Sequence, residues 1–115
     1  MPLQREKQIY SILRRYTMKI SIHEFAAKEL DEAIEWYDLQ SSGLGKRFKK
    51  AVIEQIKKIK KHPNWFLTES NSIFKAYIPK FPYKILFTAN NDEIVIWAIV
   101  HMHRKPRFWQ SRIQE

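Results

Sequence analysis

The sequence predicts one α+β domain: an N-terminal strand, an antiparallel helical hairpin, and a small, mainly antiparallel sheet ending in a three-stranded meander. Three observations carry this expectation. Residues 19–23 alternate and are partly β-branched, residues 26–61 switch to helical periodicity, and residues 73–102 hold three runs rich in Ile, Val, Phe, Tyr and Trp. A chain of 115 residues, 44% hydrophobic and 14% aromatic, is long enough for one core and too short for two.

Lys19-Ile20-Ser21-Ile22-His23 reads as the first, short strand. From Ala26 the apolar positions become Ala26, Leu30, Ala33 with Ile34, and Tyr37, while Glu29, Asp31, Glu32, Glu35 and Asp38 mostly take the others. That helix is expected to reach about Ser42, where Ser-Ser-Gly-Leu-Gly breaks it. A second helix follows on the stripe Phe48, Val52, Ile56 and Ile59, and His62-Pro63 ends it because a residue before proline avoids helical angles. A polar loop with Asn64, Asn71 and Ser72 comes next. The strands Ile73–Ile78, Tyr83–Ala89 and Ile94–Met102 are joined by Pro79-Lys80-Phe81-Pro82 and Asn90-Asn91-Asp92, links short enough to force antiparallel pairing.

Residues 18–115 form the predicted domain, and residues 1–17 an extension ahead of it. Ile9, Ile12, Leu13 and Tyr16 have the spacing of a short amphipathic helix, and a second reading makes Met18 the natural start.

The net charge of +9 is unevenly spread. Residues 1–18 carry +3, residues 19–42 carry −4, residues 43–61 carry +7, residues 62–100 are neutral, and residues 101–115 carry +3. An acidic helix followed by a basic one suggests complementary charge across the hairpin seam. The basic helix is open to three readings: a solvated face, a non-specific phosphate-binding surface, or a site for an acidic partner peptide.

Several classes are excluded or disfavoured. Without cysteine there is no disulfide framework or thiolate metal site, and with only two glycines, Gly43 and Gly45, there is no phosphate-cradling glycine loop. No stretch approaches the roughly 18–20 apolar residues of a membrane span. The N-terminus lacks the unbroken apolar run of a signal peptide, which makes the cytoplasm the expected compartment. No cofactor is expected.

The most unusual local sequence is His101-Met102-His103-Arg104-Lys105-Pro106-Arg107-Phe108-Trp109, which follows the most apolar strand. With the last hairpin closed over Asn90 to Glu93, His101 is expected opposite Pro82, near Tyr83, with Lys75 and Lys80 approaching from the neighbouring strand. Such a rim has the parts for metal-free RNA cleavage, in which a base takes the 2′-OH proton, cations hold the phosphorane and an acid protonates the leaving oxygen. His101 suits acid or base, Arg104 and Lys75 suit phosphate, and Tyr83 suits stacking or proton donation. Phe108 and Trp109 are further stacking candidates, and His103, Lys80, Arg107 and Arg112 are candidate contacts to a target or nucleic acid. The competing reading makes His101 and Arg104 structural braces and Trp109 core. His101 and His103 have the i, i+2 spacing of two metal ligands on one strand face, but no third ligand stands near and no metal is expected.

In order along residues 18–112, a larger set of residues resembles a known family. It comprises Ala27, Glu29-Leu30, Glu32-Ala33 and Trp36-Tyr37, then Gly43-Leu44-Gly45 with Phe48, then Ile56, Ile59 and Pro63. Phe81-Pro82-Tyr83 with Ile85, Ile94-x-Ile96-x-Ala98 and His101-x-x-Arg104-x-Pro106-x-x-Trp109-x-x-Arg112 complete it. The whole resembles the RelE/ParE toxins of type II toxin–antitoxin modules, some of which stabilise plasmids. The resemblance implies a cytoplasmic toxin that arrests growth and is neutralised by a cognate antitoxin wrapped around it. RelE-like members cleave mRNA on the ribosome as metal-independent endoribonucleases, and ParE-like members poison DNA gyrase. The His-x-x-Arg-x-Pro ending looks closer to the ParE-like branch, and Lys75 stands where many relatives have Arg. A non-toxic basic nucleic-acid-binding module, or a decayed toxin, is the alternative.

Overall fold

The computed structural model describes residues 19–90, 92–104 and 109–113. The readings placed on residues 1–18, as well as Asn91, Lys105, Pro106, Arg107 and Phe108, lie outside these residues.

Strand β1 (Lys19–Ile22) leads into helix α1 (Glu24–Gln40), whose first turn is capped by His23: its Nδ1 accepts the Phe25 N–H at 3.2 Å. The helix stops at Gln40, two residues before the expected Ser42, because Ser41 turns to extended angles. Helix α2 (Leu44–Lys61) then folds back along α1, and the two glycines between and within the helices have separate reasons. Gly43 is left-handed at φ 86°, which a side chain resists. Gly45 sits where the helices cross, and a Cβ there would lie 2.3 Å from the Ile34 carbonyl oxygen. Its N–H donates to Asp38 Oδ1 at 2.8 Å.

Complementary charge was expected across that seam, and the structure corrects this. Among the described residues no ion pair joins α1 to α2. The helices meet through apolar contact instead, with Tyr37 on Phe48 at 5.0 Å between ring centroids. A buried phenylalanine is worth about 1.5–3 kcal/mol and an exposed ion pair roughly 0–1 kcal/mol, so packing sets the seam, with the Gly45 N–H on Asp38 as a polar contact across it.

After a 3₁₀ turn at Pro63–Trp65 come β2 (Leu67–Ser70), β3 (Ile73–Tyr77), β4 (Tyr83–Ala89), β5 (Glu93–His101) and a single helical turn, α3 (Gln110–Ile113). The sheet has five strands in the order β1-β5-β4-β3-β2. β1 runs parallel to β5, the chain between them passing through the helical hairpin and then β2, β3 and β4, and every other pair is antiparallel. β2 was expected to be loop. Its Leu-Thr-Glu-Ser carries no strand pattern, and it forms as a short edge partner of β3 through a turn in which Asn71 adopts φ 46°.

The helices cover one sheet face through Ala33, Phe48, Val52, Ile85, Phe87 and Ile96, all buried. Trp109 closes the other face over Ile73, Leu86, Ala98 and Val100, with Ile113 beside it. Trp109 is therefore a core residue, one of its two expected roles. No helix among the described residues is long and apolar enough to cross a membrane.

Candidate functional site

The end of β5 meets the start of β4, and this junction builds the rim. Tyr83 pairs with His101, one residue from the expected register with Pro82, whose carbonyl accepts the Met102 N–H at 2.9 Å. Paired residues share a sheet face, here the face that carries the helices. The Tyr83 and His101 rings meet edge-on at 5.5 Å, and the His103 ring lies 5.4 Å beyond His101. His101 Nδ1 accepts the His103 backbone N–H at 3.2 Å, so a neutral His101 ring carries its proton on Nε2. The ring thus offers a donor outward, with its other nitrogen occupied.

Tyr83 backs this rim onto the core. Its ring packs on Phe48 at 4.9 Å and lies 6.0 Å from Tyr37. Burial pushes the Tyr83 hydroxyl above its ordinary pKa, and burial followed by the neighbouring Tyr83 does the same to Tyr37. Both phenols stay protonated at neutral pH.

The remaining candidates divide. Arg104 is exposed beside His101, its N–H on the His101 carbonyl at 3.0 Å and its guanidinium 3.9 Å from Glu29. Lys80 is exposed in the β3–β4 turn, held at φ 69°. Lys75 pairs with Leu86, so it stands on the opposite sheet face from Tyr83 and His101, with its ammonium 5.8 Å from the Tyr77 ring. Arg107 lies outside the described residues.

Arg112, expected at a target contact, is engaged inside the protein. Its side chain is 10% exposed and makes two hydrogen bonds of 2.9 Å to the Glu29 carboxylate. It also donates to the Trp97 carbonyl at 2.9 Å and lies over the Phe25 ring at 5.2 Å. The reason lies in β5. Trp97 is the extra residue of a bulge, because Leu86 faces Ala98 while Phe87 faces Ile96. β1 covers β5 only as far as Ile96. Past that point the strand edge needs other partners, and Glu29 accepts the Ile99 N–H at 3.2 Å while Arg112 serves the Trp97 carbonyl.

Glu29 is the residue that sequence reasoning missed. In the sequence it is one of five acids off the apolar stripe, yet it is 13% exposed and holds the C-terminal segment to α1. The available signal was its place three residues after Ala26 and four before Ala33, on the flank of the apolar stripe. Among the described residues no three His, Asp or Glu side chains gather as a metal site.

No protein-family model and no curated protein sequence matches the chain. Among solved structures, the fold is similar to that of a chain from the "Chromosomal ParDE TA system from P. aeruginosa", with a TM-score of 0.66 and 19% identity. The match covers 74% of this chain and 96% of that one. It is a likeness of fold.

Proposed function

We propose that this chain is the toxin of a type II toxin–antitoxin module, arresting growth until a cognate antitoxin binds it. The observation that carries the reading is the fold likeness over nearly the whole of a ParDE system chain, at 96% coverage. The ordered run of family residues ending in His101, Arg104 and Arg112 supports it.

Within that class, inhibition of DNA gyrase is the reading we favour. The rim supplies donors and cations without a group held as a base: His101 Nδ1 is occupied by the His103 N–H, burial keeps Tyr83 protonated, and Glu29 is bound to Arg112. Lys75, the residue in the family's arginine position, stands on the other face. His101, His103, Arg104 and Lys80 then act as a protein-contact surface. One observation favours metal-independent ribonuclease action on ribosome-bound mRNA instead, the placing of Tyr83, His101 and His103 in one ring cluster. There Tyr83 or His101 Nε2–H is the acid and Arg104 holds the phosphate.

Purified chain added to gyrase and supercoiled plasmid should yield relaxed or cleaved DNA, and addition to a translation extract should leave mRNA intact. Ribosome-dependent mRNA fragments would reverse the choice between targets. Inactivity in both assays, with a chain whose expression is harmless, would support the non-toxic nucleic-acid-binding module.

A further inference from the structure

We propose that the junction between α2 and β2 binds single-stranded nucleic acid, with an unpaired base stacked on Trp65 and phosphates held by the lysines that end α2. The site shares no residue with the rim and stands whether or not the chain is a toxin.

Trp65 is 68% exposed, although an indole of that size normally finds cover. Its orientation is nevertheless fixed. The Trp65 N–H donates to the His62 carbonyl at 3.0 Å, closing the 3₁₀ turn that Pro63 opens. The His62 imidazole then stacks under the indole, with centroids 3.6 Å apart and planes within 2°. One ring face is backed, the other is open, and among the described residues the indole N–H has no protein acceptor. A flat, pre-ordered aromatic surface of this kind receives a base without needing to order itself on binding.

The charge next to it has the matching sign. Lys57, Lys58, Lys60 and Lys61 fill the last turn and a half of α2, and no Asp or Glu occurs from Gln55 to Thr68. None of these lysines is in an ion pair among the described residues. Lysine ammoniums are point charges suited to diffuse attraction along a phosphate backbone. An acidic peptide would satisfy the lysines but has no use for a bare, backed indole. A duplex would satisfy them too, but its bases are already stacked on one another. An unpaired strand uses both features.

The place in the fold separates this site from the rim. Phe48 near the start of α2 packs on Tyr83 of β4, and Gln55 Nε2 donates to the Tyr77 carbonyl at the end of β3 at 2.9 Å. The helix therefore crosses the strand ends outward, and Trp65 emerges at the edge strand β2, with β3 and β4 between it and β5.

The test titrates the full-length protein into labelled single strands of about 12 nucleotides, as RNA and as DNA of one sequence, and into the matching duplex. Fluorescence anisotropy is read at roughly 50 and 200 mM salt. Single strands should bind more tightly than duplex, and the RNA and DNA arms show whether the sugar is read. Trp65→Ala should weaken single-strand binding about five- to a hundredfold and leave duplex affinity unchanged, while Trp65→Phe keeps most of the affinity. Exchanging Lys57 and Lys61 together for Gln should flatten the salt dependence by about 1.4 log units of affinity per log unit of salt. The exposed ring makes Trp65→Ala a folded variant, checked by an unchanged melting midpoint. The proposal is overturned by no single-strand binding at about 100 µM protein. It is equally overturned by equal affinity for duplex, by wild-type affinity in Trp65→Ala, or by Trp65-dependent binding of polyglutamate at the strength of the nucleic acid.

Discussion

The segment from His101 to Arg112 holds two regions of opposite character. At its far end Trp109 is buried on the sheet face away from the helices, and the Arg112 side chain is 10% exposed against Glu29. At its near end His101, His103 and Arg104 are exposed. All of these residues belong to a single basic, aromatic motif in the sequence. The comparison teaches that a cation's role follows from what the backbone beside it lacks. β5 loses its β1 neighbour at Ile96, and Arg112 is drawn in to serve the bulge, whereas the Arg104 side chain is 52% exposed and lies 3.9 Å from Glu29. The buried end gives stability, and the exposed end is the surface we propose meets a target.

Substitutions should separate the two regions by energy. Trp109→Ala empties the second core cluster and should cost about 3–5 kcal/mol in urea unfolding. Next, Glu29→Ala strands Arg112 and removes the acceptor for the Ile99 N–H, for a loss of about 3 kcal/mol. Exchanging Glu29 and Arg112 together for Leu and Met should cost less than Glu29→Ala alone, which a double-mutant cycle checks. Arg104→Gln should cost less than about 1 kcal/mol, since that guanidinium is 52% exposed and 3.9 Å from its partner. His101→Ala should stay within about 0.5 kcal/mol of the wild type. A large loss at Arg104 or His101 would erase the distinction.

Tyr83 joins the rim to the core and gives the smallest and most pH-specific effect. Burial raises Tyr83 and Tyr37 above the ordinary 10.0. The folded chain therefore keeps protons that the unfolded chain loses, so stability present below pH 10 falls as pH climbs above it. Tyr83→Phe should blunt that alkaline loss in thermal melts recorded from neutral pH upward.

The element order was legible because each element carries its own period: alternation at Lys19–Ile22, helical stripes through Tyr37 and Ile59, and β-rich runs after Ile73. The rim was legible in part. The pairing of His101 with the Tyr83 region follows from hairpin counting, but the bulge at Trp97 does not, and a one-residue slip decides which carbonyl meets which N–H. Lys75 looked near His101 along the chain order, while strand parity sends it to the opposite face. Glu29 and Trp65 were not legible as special: a single acid on a helix flank and a single aromatic in a polar loop acquire meaning only from the bulge and the His62 stack. β2 was missed because an edge strand forms on its neighbour's hydrogen bonds rather than on its own pattern.

The most direct test of the account is to induce the chain alone in growing bacteria, beside a His101→Ala/Arg104→Gln variant matched for amount and for melting midpoint. The account predicts that the wild-type chain arrests growth and that the rim variant, equally stable, does not. Normal growth with abundant folded wild-type protein, or equal arrest by the rim variant, would contradict it.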